Sequence, residues 1–282
     1  MEKRIALLVV GLIVISSFSS IALALSPMGP PKASIGQNKW AIGVDYGYQS
    51  MDLEASSRIV ATQMDDPPFD QSFKVKHEIE DLKSSIILAR VDYGVSENWD
   101  AFIRLGMADG EDEIEQIYSN GDTEKFKGYD GNFGFAWGFG TRATFWQDNK
   151  VTWGGLFQMT WVAPDSSDIS LSGDPDFSGD AEMEMWEVQI SIGPTWEAAD
   201  NFSVYGGPFM HFIDGDLDIS GSKVPEDDLE ERVKGSGDIE EASQFGGYVG
   251  ASWDVREDTA CYLEGQFTGD AWGIGVGAVR RF

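Results

Sequence analysis

Residues 132–146 read NFGFAWGFGTRATFW, and this stretch decides the fold. From Phe133 to Phe145 every second residue is apolar or aromatic except Thr141, while most of the positions between them are Gly, Ala or polar. Successive side chains of a β-strand point to opposite faces of the sheet, so a period of two predicts a strand with one apolar face and one face of small or polar side chains.

Nine further stretches alternate in the same way. They cover residues 40–51, 86–95, 99–108, 151–163, 186–196, 202–213, 244–255, 260–268 and 272–282. A tilted strand needs about 9–11 residues to cross a bilayer, and stretches of this length meet that requirement. The pattern therefore predicts ten strands, each able to span a membrane.

The connections between these strands alternate between short and long. Short ones lie near 96–98, 147–150, 197–201 and 256–259, and long ones near 52–85, 109–131, 164–185 and 214–243, with a short exception at 269–271. This rhythm is typical of an outer-membrane barrel with tight periplasmic turns and extended outer loops. We predict an all-β, closed antiparallel transmembrane β-barrel of about ten strands, with eight or twelve as alternatives. Stretches 58–63 and 71–79 could pair as a hairpin above the membrane, or they could enter the wall and raise the number of barrel strands to twelve.

Aromatic residues mark both ends of the apolar face. Without them, this face could be the core of a soluble β-sandwich or lipocalin-like barrel. Amphipathic rings favour the headgroup region, so two girdles indicate a lipid band. The principal girdle residues are Trp40, Trp99, Trp153, Trp196, Trp253 and Phe282 on the turn side, and Trp161, Trp186 and Trp272 on the loop side. The opposite face is rich in Gly and nearly lacks Lys, as suits a crowded lumen.

The chain ends WGIGVGAVRRF, with Trp272, Ile274, Val276 and Phe282 on one face. This stretch resembles the C-terminal signal of bacterial outer-membrane β-barrel proteins, whose last strand ends in an outward aromatic residue. The resemblance is to the small OmpA-like or porin-like class and to no particular family. It implies outer-membrane lipids and the barrel-assembly machinery as partners. Arg280 departs from the usual apolar residue, and we expect it to reach the headgroups.

The first 24 residues have the order of a secretory signal peptide. Lys3 and Arg4 precede an apolar run at 5–15, and Ala22 and Ala24 form a small-residue site for cleavage after Ala24. An uncleaved membrane anchor is the alternative. We expect residues 25–38 to be a short periplasmic segment and 39–282 to be the barrel with long acidic loops. The expected location is the bacterial outer membrane.

Composition excludes several classes of function. The formal charge is −28, from 20 basic and 48 acidic residues, and it argues against nucleic-acid binding. A single cysteine excludes an intrachain disulfide and a Cys-cluster zinc site, and we expect no cofactor. Residues 109–130, 164–182 and 214–241 hold 25 acidic against five basic residues. They suggest a solvated outer surface, or one that binds divalent cations.

The inward face predicts a lumen with charged side chains. The predicted lining includes Asp45, Arg90, Asp92, Arg104, Arg142, Glu187, His211, Tyr248 and Glu264. These groups could form a packed core of ion pairs, since unpaired buried charge is costly, or line a thin water-filled path for which the inward glycines leave space.

Two functions follow from this lumen, and a third from the rim. The first two, both non-enzymatic, are a structural or surface-interaction barrel and a narrow, porin-like passive channel. The alternative is a rim hydrolase, because ten-stranded barrels include omptin-type surface proteases whose sites combine His with Asp near the outer rim. Here His211 would act with Asp214 or Asp216.

Overall fold

The structure is a computed structural model. It describes residues 25–63, 69–112, 115–117, 123–125, 129–130, 133–163, 167–171, 174–223, 231–241 and 244–282. The predicted signal peptide at 1–24 lies outside these residues. Within them, no helix has the length and hydrophobicity needed to span a membrane.

Fifteen strands occur in the described residues. They are β1 (Trp40–Gln63), β2 (Phe69–Ser96), β3 (Trp99–Asp112), β4 (Glu115–Ile117), β5 (Thr123–Lys125), β6 (Tyr129–Asp130), β7 (Gly134–Asp148), β8 (Val151–Ala163), β9 (Ser167–Leu171), β10 (Asp174–Ala199), β11 (Phe202–Lys223), β12 (Glu231–Glu241), β13 (Phe245–Arg256), β14 (Thr259–Phe267) and β15 (Ala271–Arg281).

Ten of these strands close into a barrel. Antiparallel neighbours follow the order β1-β2-β3-β7-β8-β10-β11-β13-β14-β15, and β15 pairs with β1 from Ala41 opposite Arg281 to Met51 opposite Ala271. The prediction of a closed ten-stranded barrel is confirmed. The stretch at 58–63 pairs with 69–74 at the top of the β1–β2 hairpin, so it adds no strand to the wall.

Much of what was predicted as long loops is strand, and that part of the prediction is wrong. β10 and β11 continue far beyond the predicted ends at 186 and 213, paired from Phe177 opposite Lys223 downward. β12 pairs with both β1 and β11, directly above the short β14–β15 hairpin. Each extended strand keeps a neighbour, so its backbone groups stay hydrogen-bonded outside the lipid band.

The outer surface carries the large apolar side chains. All nine principal girdle residues predicted from the sequence lie on this face: Trp40, Trp99, Trp153, Trp196, Trp253, Trp272 and Phe282 are exposed, and Trp161 and Trp186 are half-exposed.

The polarity of the wall inverts on the loop side. On β11 the outward side chains change from Phe212 to the exposed Asp214, and on β10 from Trp186 to the exposed Glu184. Over the same stretch the inward positions become apolar, with Met185 and Ile213 buried. This inversion marks the upper edge of the surface suited to lipid, because charged side chains are costly in the hydrocarbon layer.

Candidate functional site in the barrel lumen

The nine side chains predicted to line the lumen are all buried inside the barrel. Four of the charged side chains, namely Arg90, Asp45, Asp92 and Arg142, form one connected group. The guanidinium of Arg90 lies 3.1 Å from Asp45 and 3.0 Å from Asp92, and Arg142 lies 3.3 Å from the other oxygen of Asp92. This part of the lumen matches the packed-core interpretation, since each charge has an opposite partner.

Phe102 lies among the three lumen arginines, a position that was not predicted from the sequence. Its buried ring has the guanidinium carbons of Arg142, Arg104 and Arg90 at 4.6, 5.6 and 5.7 Å from its centroid. Guanidinium groups within about 6 Å of an aromatic face are attracted by the ring quadrupole. The ring therefore separates three like charges while stabilising each of them.

Residues 25–35, which we name the plug, run inside the lumen. The expectation of a periplasmic segment at 25–38 is therefore wrong for this part, which fills the barrel. The chain crosses the turn-side rim at Asn38, whose amide donates to the carbonyl of Gly94. Its far end, Leu25, donates to Oε1 of Gln49. Gln49 lies nine residues up β1 from Trp40, about 30 Å along the strand.

The wall accepts hydrogen bonds from the backbone amides of the plug. Glu264 accepts from Met28 at 2.6 Å and from Gly29 at 2.9 Å, and Glu187 accepts from Ser26 at 3.1 Å. Nearer the rim, the acceptors are Thr144 for Ala33 and Asp100 for Ser34 and Ile35. Plug positions 27, 30 and 31 are prolines, which carry no N–H to satisfy.

The carbonyl groups of the plug also have partners on the wall. Arg104 donates to the carbonyl of Pro27 at 3.1 Å, and Arg142 donates to that of Met28 at 2.8 Å. The Ser26 carbonyl accepts from Gln158 at 3.0 Å and from Gln266 at 3.1 Å. Donors on β3, β7, β8 and β14 thus fix the height and direction of the plug, as a binding site fixes an extended peptide.

Inward glycines make room for the plug. A Cβ atom at Gly47 would lie 3.0 Å from Cδ of Pro27, and one at Gly275 would lie 3.0 Å from its Cβ. A Cβ at Gly273 would lie 3.2 Å from Cβ of Leu25. The space that the sequence left open for a water-filled path is occupied at these positions by the chain's own N-terminal segment.

A cavity of about 280 Å³ remains on the turn side. The plug lines it with Lys32 and Ser34, and the wall lines it with Arg90, Arg142 and Arg281, among others. The cavity thus extends from the rim to the arginine group.

His211 is buried in the lumen rather than placed for rim chemistry. Its Nε2 lies 3.0 Å from Oε1 of Glu187, whose other oxygen accepts from the hydroxyl of Ser26. Asp214 and Asp216 are exposed on the opposite, outer face of β11, because they differ from His211 by an odd number of residues. The pairing on which the rim-hydrolase hypothesis depends is therefore absent. Among the described residues, no group of three or more His, Cys, Asp or Glu side chains could hold a metal ion.

Comparisons with solved structures return bacterial outer-membrane proteins. The chain is similar to the outer membrane protease OmpT from Escherichia coli at 9% identity, covering 89% of this chain and 99% of that one with a TM-score of 0.43. Its similarity to OprG from Pseudomonas aeruginosa has 10% identity, 89% and 99% coverage and a TM-score of 0.43. Its similarity to Ail, the attachment invasion locus protein of Yersinia pestis, has 13% identity and covers 87% of this chain and 99% of that one, with a TM-score of 0.30. No family model and no curated protein matches the chain. The strand pairing and the apolar outer surface themselves identify the fold as a ten-stranded transmembrane β-barrel.

Proposed function

We propose that this protein is an outer-membrane barrel kept closed by its own N-terminal segment, with a structural and surface-interaction role. The observation that carries the proposal is the set of seven backbone nitrogens of the plug, at residues 25, 26, 28, 29, 33, 34 and 35, that donate to side chains of the wall. Leaving one buried donor without a partner costs about 1–3 kcal/mol. Withdrawal of the plug would break all seven bonds, and water would have to replace them.

The outer ends of the long strands are the surface available for interaction. Asp214, Asp216 and Asp218 are exposed on one face of β11, and Asp216 lies opposite Glu184 of β10 and Asp238 of β12. Like charges directly opposite each other destabilise a sheet, so a cationic partner would relieve the repulsion. Cationic groups on neighbouring molecules are the partners that this chemistry favours.

The test of closure is single-channel recording of the full-length protein in planar bilayers. We expect no resolved unitary steps from the wild-type protein. Glu264→Ala removes the acceptor of two plug amides, so it should produce intermittent openings. Tyr248→Phe is the matched control, since it removes a buried lumen hydroxyl that makes no hydrogen bond to the described part of the plug, and it should stay silent. Steady conductance from the wild-type protein would refute closure.

A passive channel is the second candidate, favoured by the turn-side cavity lined with Arg90, Arg142 and Arg281. A path would then run from this cavity through the space that the plug vacates. Wild-type openings that are blocked by small anions would support this function, because the guanidinium groups would attract anions into the cavity.

A further inference from the structure

The far end of the plug is as deeply buried as its middle. Leu25 has 2% of its surface exposed, and its backbone nitrogen donates to the side-chain oxygen of Gln49. The next residue, Ser26, has no exposed surface and is bound through its amide and hydroxyl to Glu187. The Leu25 nitrogen therefore lies in a polar part of the lumen, and the residue that follows it binds the carboxylate of Glu187.

The side chains of the lumen carry more negative than positive charge. Among the described residues, five buried carboxylates face three buried guanidinium groups and one imidazole. The carboxylates are Asp45, Asp92, Asp100, Glu187 and Glu264, and the cationic groups are Arg90, Arg104, Arg142 and, when protonated, His211. Lys32 and Arg281, which line the turn-side cavity, are paired with Glu197 and Asp254. Among the described residues one buried lumen carboxylate is therefore left without a cation, and a buried charge without a partner is costly.

We propose that the peptide bond between Ala24 and Leu25 is hydrolysed, and that the α-ammonium group of Leu25 is the missing cation of the lumen and locks the plug. Water is the co-reactant: Ala24 leaves with the new carboxylate and Leu25 keeps the new amino group, which takes up a proton. An ammonium has three N–H donors where a peptide nitrogen has one, so it can bind Gln49 and still face the carboxylates. The inference rests on the proposed closure by the plug.

Hydrolysis must precede insertion of the plug. The segment passes the turn-side rim at Asn38 and ends beside Gln49, about 30 Å up the strand. An uncleaved apolar run at 5–15 could act as a membrane anchor, and an anchored chain would have to leave that membrane before Leu25 could lie at this depth. The small residues Ala22 and Ala24 are those that a signal peptidase requires next to the bond it cuts.

The first test is the N-terminal sequence and intact mass of the full-length protein isolated from the outer-membrane fraction. We expect the chain to begin at Leu25. The second test is reductive methylation with formaldehyde of the folded and the denatured protein. The α-amine of Leu25 should react at least about tenfold more slowly in the folded protein, because the reagent must wait for the plug to open.

Gln49→Leu removes the acceptor of the Leu25 nitrogen, so it should abolish most of this protection. The control Tyr248→Phe should retain it. A mature chain that begins elsewhere, or a Leu25 amine that reacts equally fast in the folded protein, would overturn the inference. A chain that begins at Leu25 with a protected amine, but conducts steadily, would instead refute closure alone.

Discussion

Ile190→Arg should destabilise the folded barrel in a bilayer by about 2–4 kcal/mol. Ile190 is 45% exposed on the outer face of β10, near the midpoint between Trp186 and Trp196 on that face. An arginine there would lie close to the centre of the lipid band, where the cost of a cationic side chain is greatest. This penalty corresponds to a change of about 30- to 900-fold in the unfolding equilibrium.

The assay is urea unfolding of the full-length protein in phosphatidylcholine vesicles, followed by tryptophan fluorescence. Asp216→Arg is the matched control, since Asp216 is exposed on the same side of the wall but above the polarity inversion. This variant should not destabilise the barrel, because the arginine would lie opposite Glu184 and Asp238, and an opposite-charge pair across a sheet contributes about 0.2–1 kcal/mol. Equal losses from the two variants, or no loss from Ile190→Arg, would refute the assignment of the apolar face to lipid.

Two further predictions concern charge pairs. Asp92→Asn should cost about 3–5 kcal/mol in the same titration, because it leaves Arg142 without a carboxylate and Arg90 with one fewer, whereas Asp258→Asn at the exposed turn should cost far less. The hydroxyl of the following threonine, and then Arg280, hold the pKa of Asp258 below its usual range. This depressed pKa contributes stability that is present above the unfolded-state pKa and is lost as the pH falls through the folded-state pKa. Arg280→Ala should therefore raise the Asp258 pKa, as measured by NMR titration of its carboxyl carbon, and an unchanged titration would contradict the pairing.

The strands within the lipid band could be predicted almost residue by residue. The stretch predicted at 151–163 is β8 as observed, because lipid on one side and a polar lumen on the other impose a strict period of two. The same alternation restricts the register of neighbouring strands, because a shift by one residue would turn the apolar side chains into the lumen. The count of ten follows from the same local rule.

The upper halves of β10 and β11 were missed although a signal was present. Residues 213–219 alternate strictly, with Asp214, Asp216 and Asp218 separated by apolar residues and Gly. Acidic residues and glycine are depleted from strands, so the composition favoured a loop. The alternation was the better guide, because the outward positions of the strand are still distinct from the inward ones above the lipid band. There the outward positions are acidic and face solvent, whereas within the band they are aromatic and face lipid.

The plug could not be predicted from periodicity, because it has none. Its partners are far away in the sequence: Met28 and the Glu264 that accepts from it are 236 residues apart. Two indirect signals were available, namely the inward glycines at 47, 273 and 275 and the surplus of carboxylates over guanidinium groups on the inner face. Each indicates that something small and rich in donors occupies the lumen.

The lumen carboxylates differ in their partners, since some bind the wall and others bind the plug, and this difference indicates an order of assembly. Asp45 and Asp92 bind guanidinium groups of the wall, so they have their partners as soon as the barrel closes. Glu187 and Glu264 accept from the plug, and they are fully satisfied only when it arrives. The plug contacts use wall side chains on β3, β7, β8, β10 and β14, so they can form only after these strands surround the lumen. The wall should therefore form first, around a hydrated lumen, and the plug should enter last.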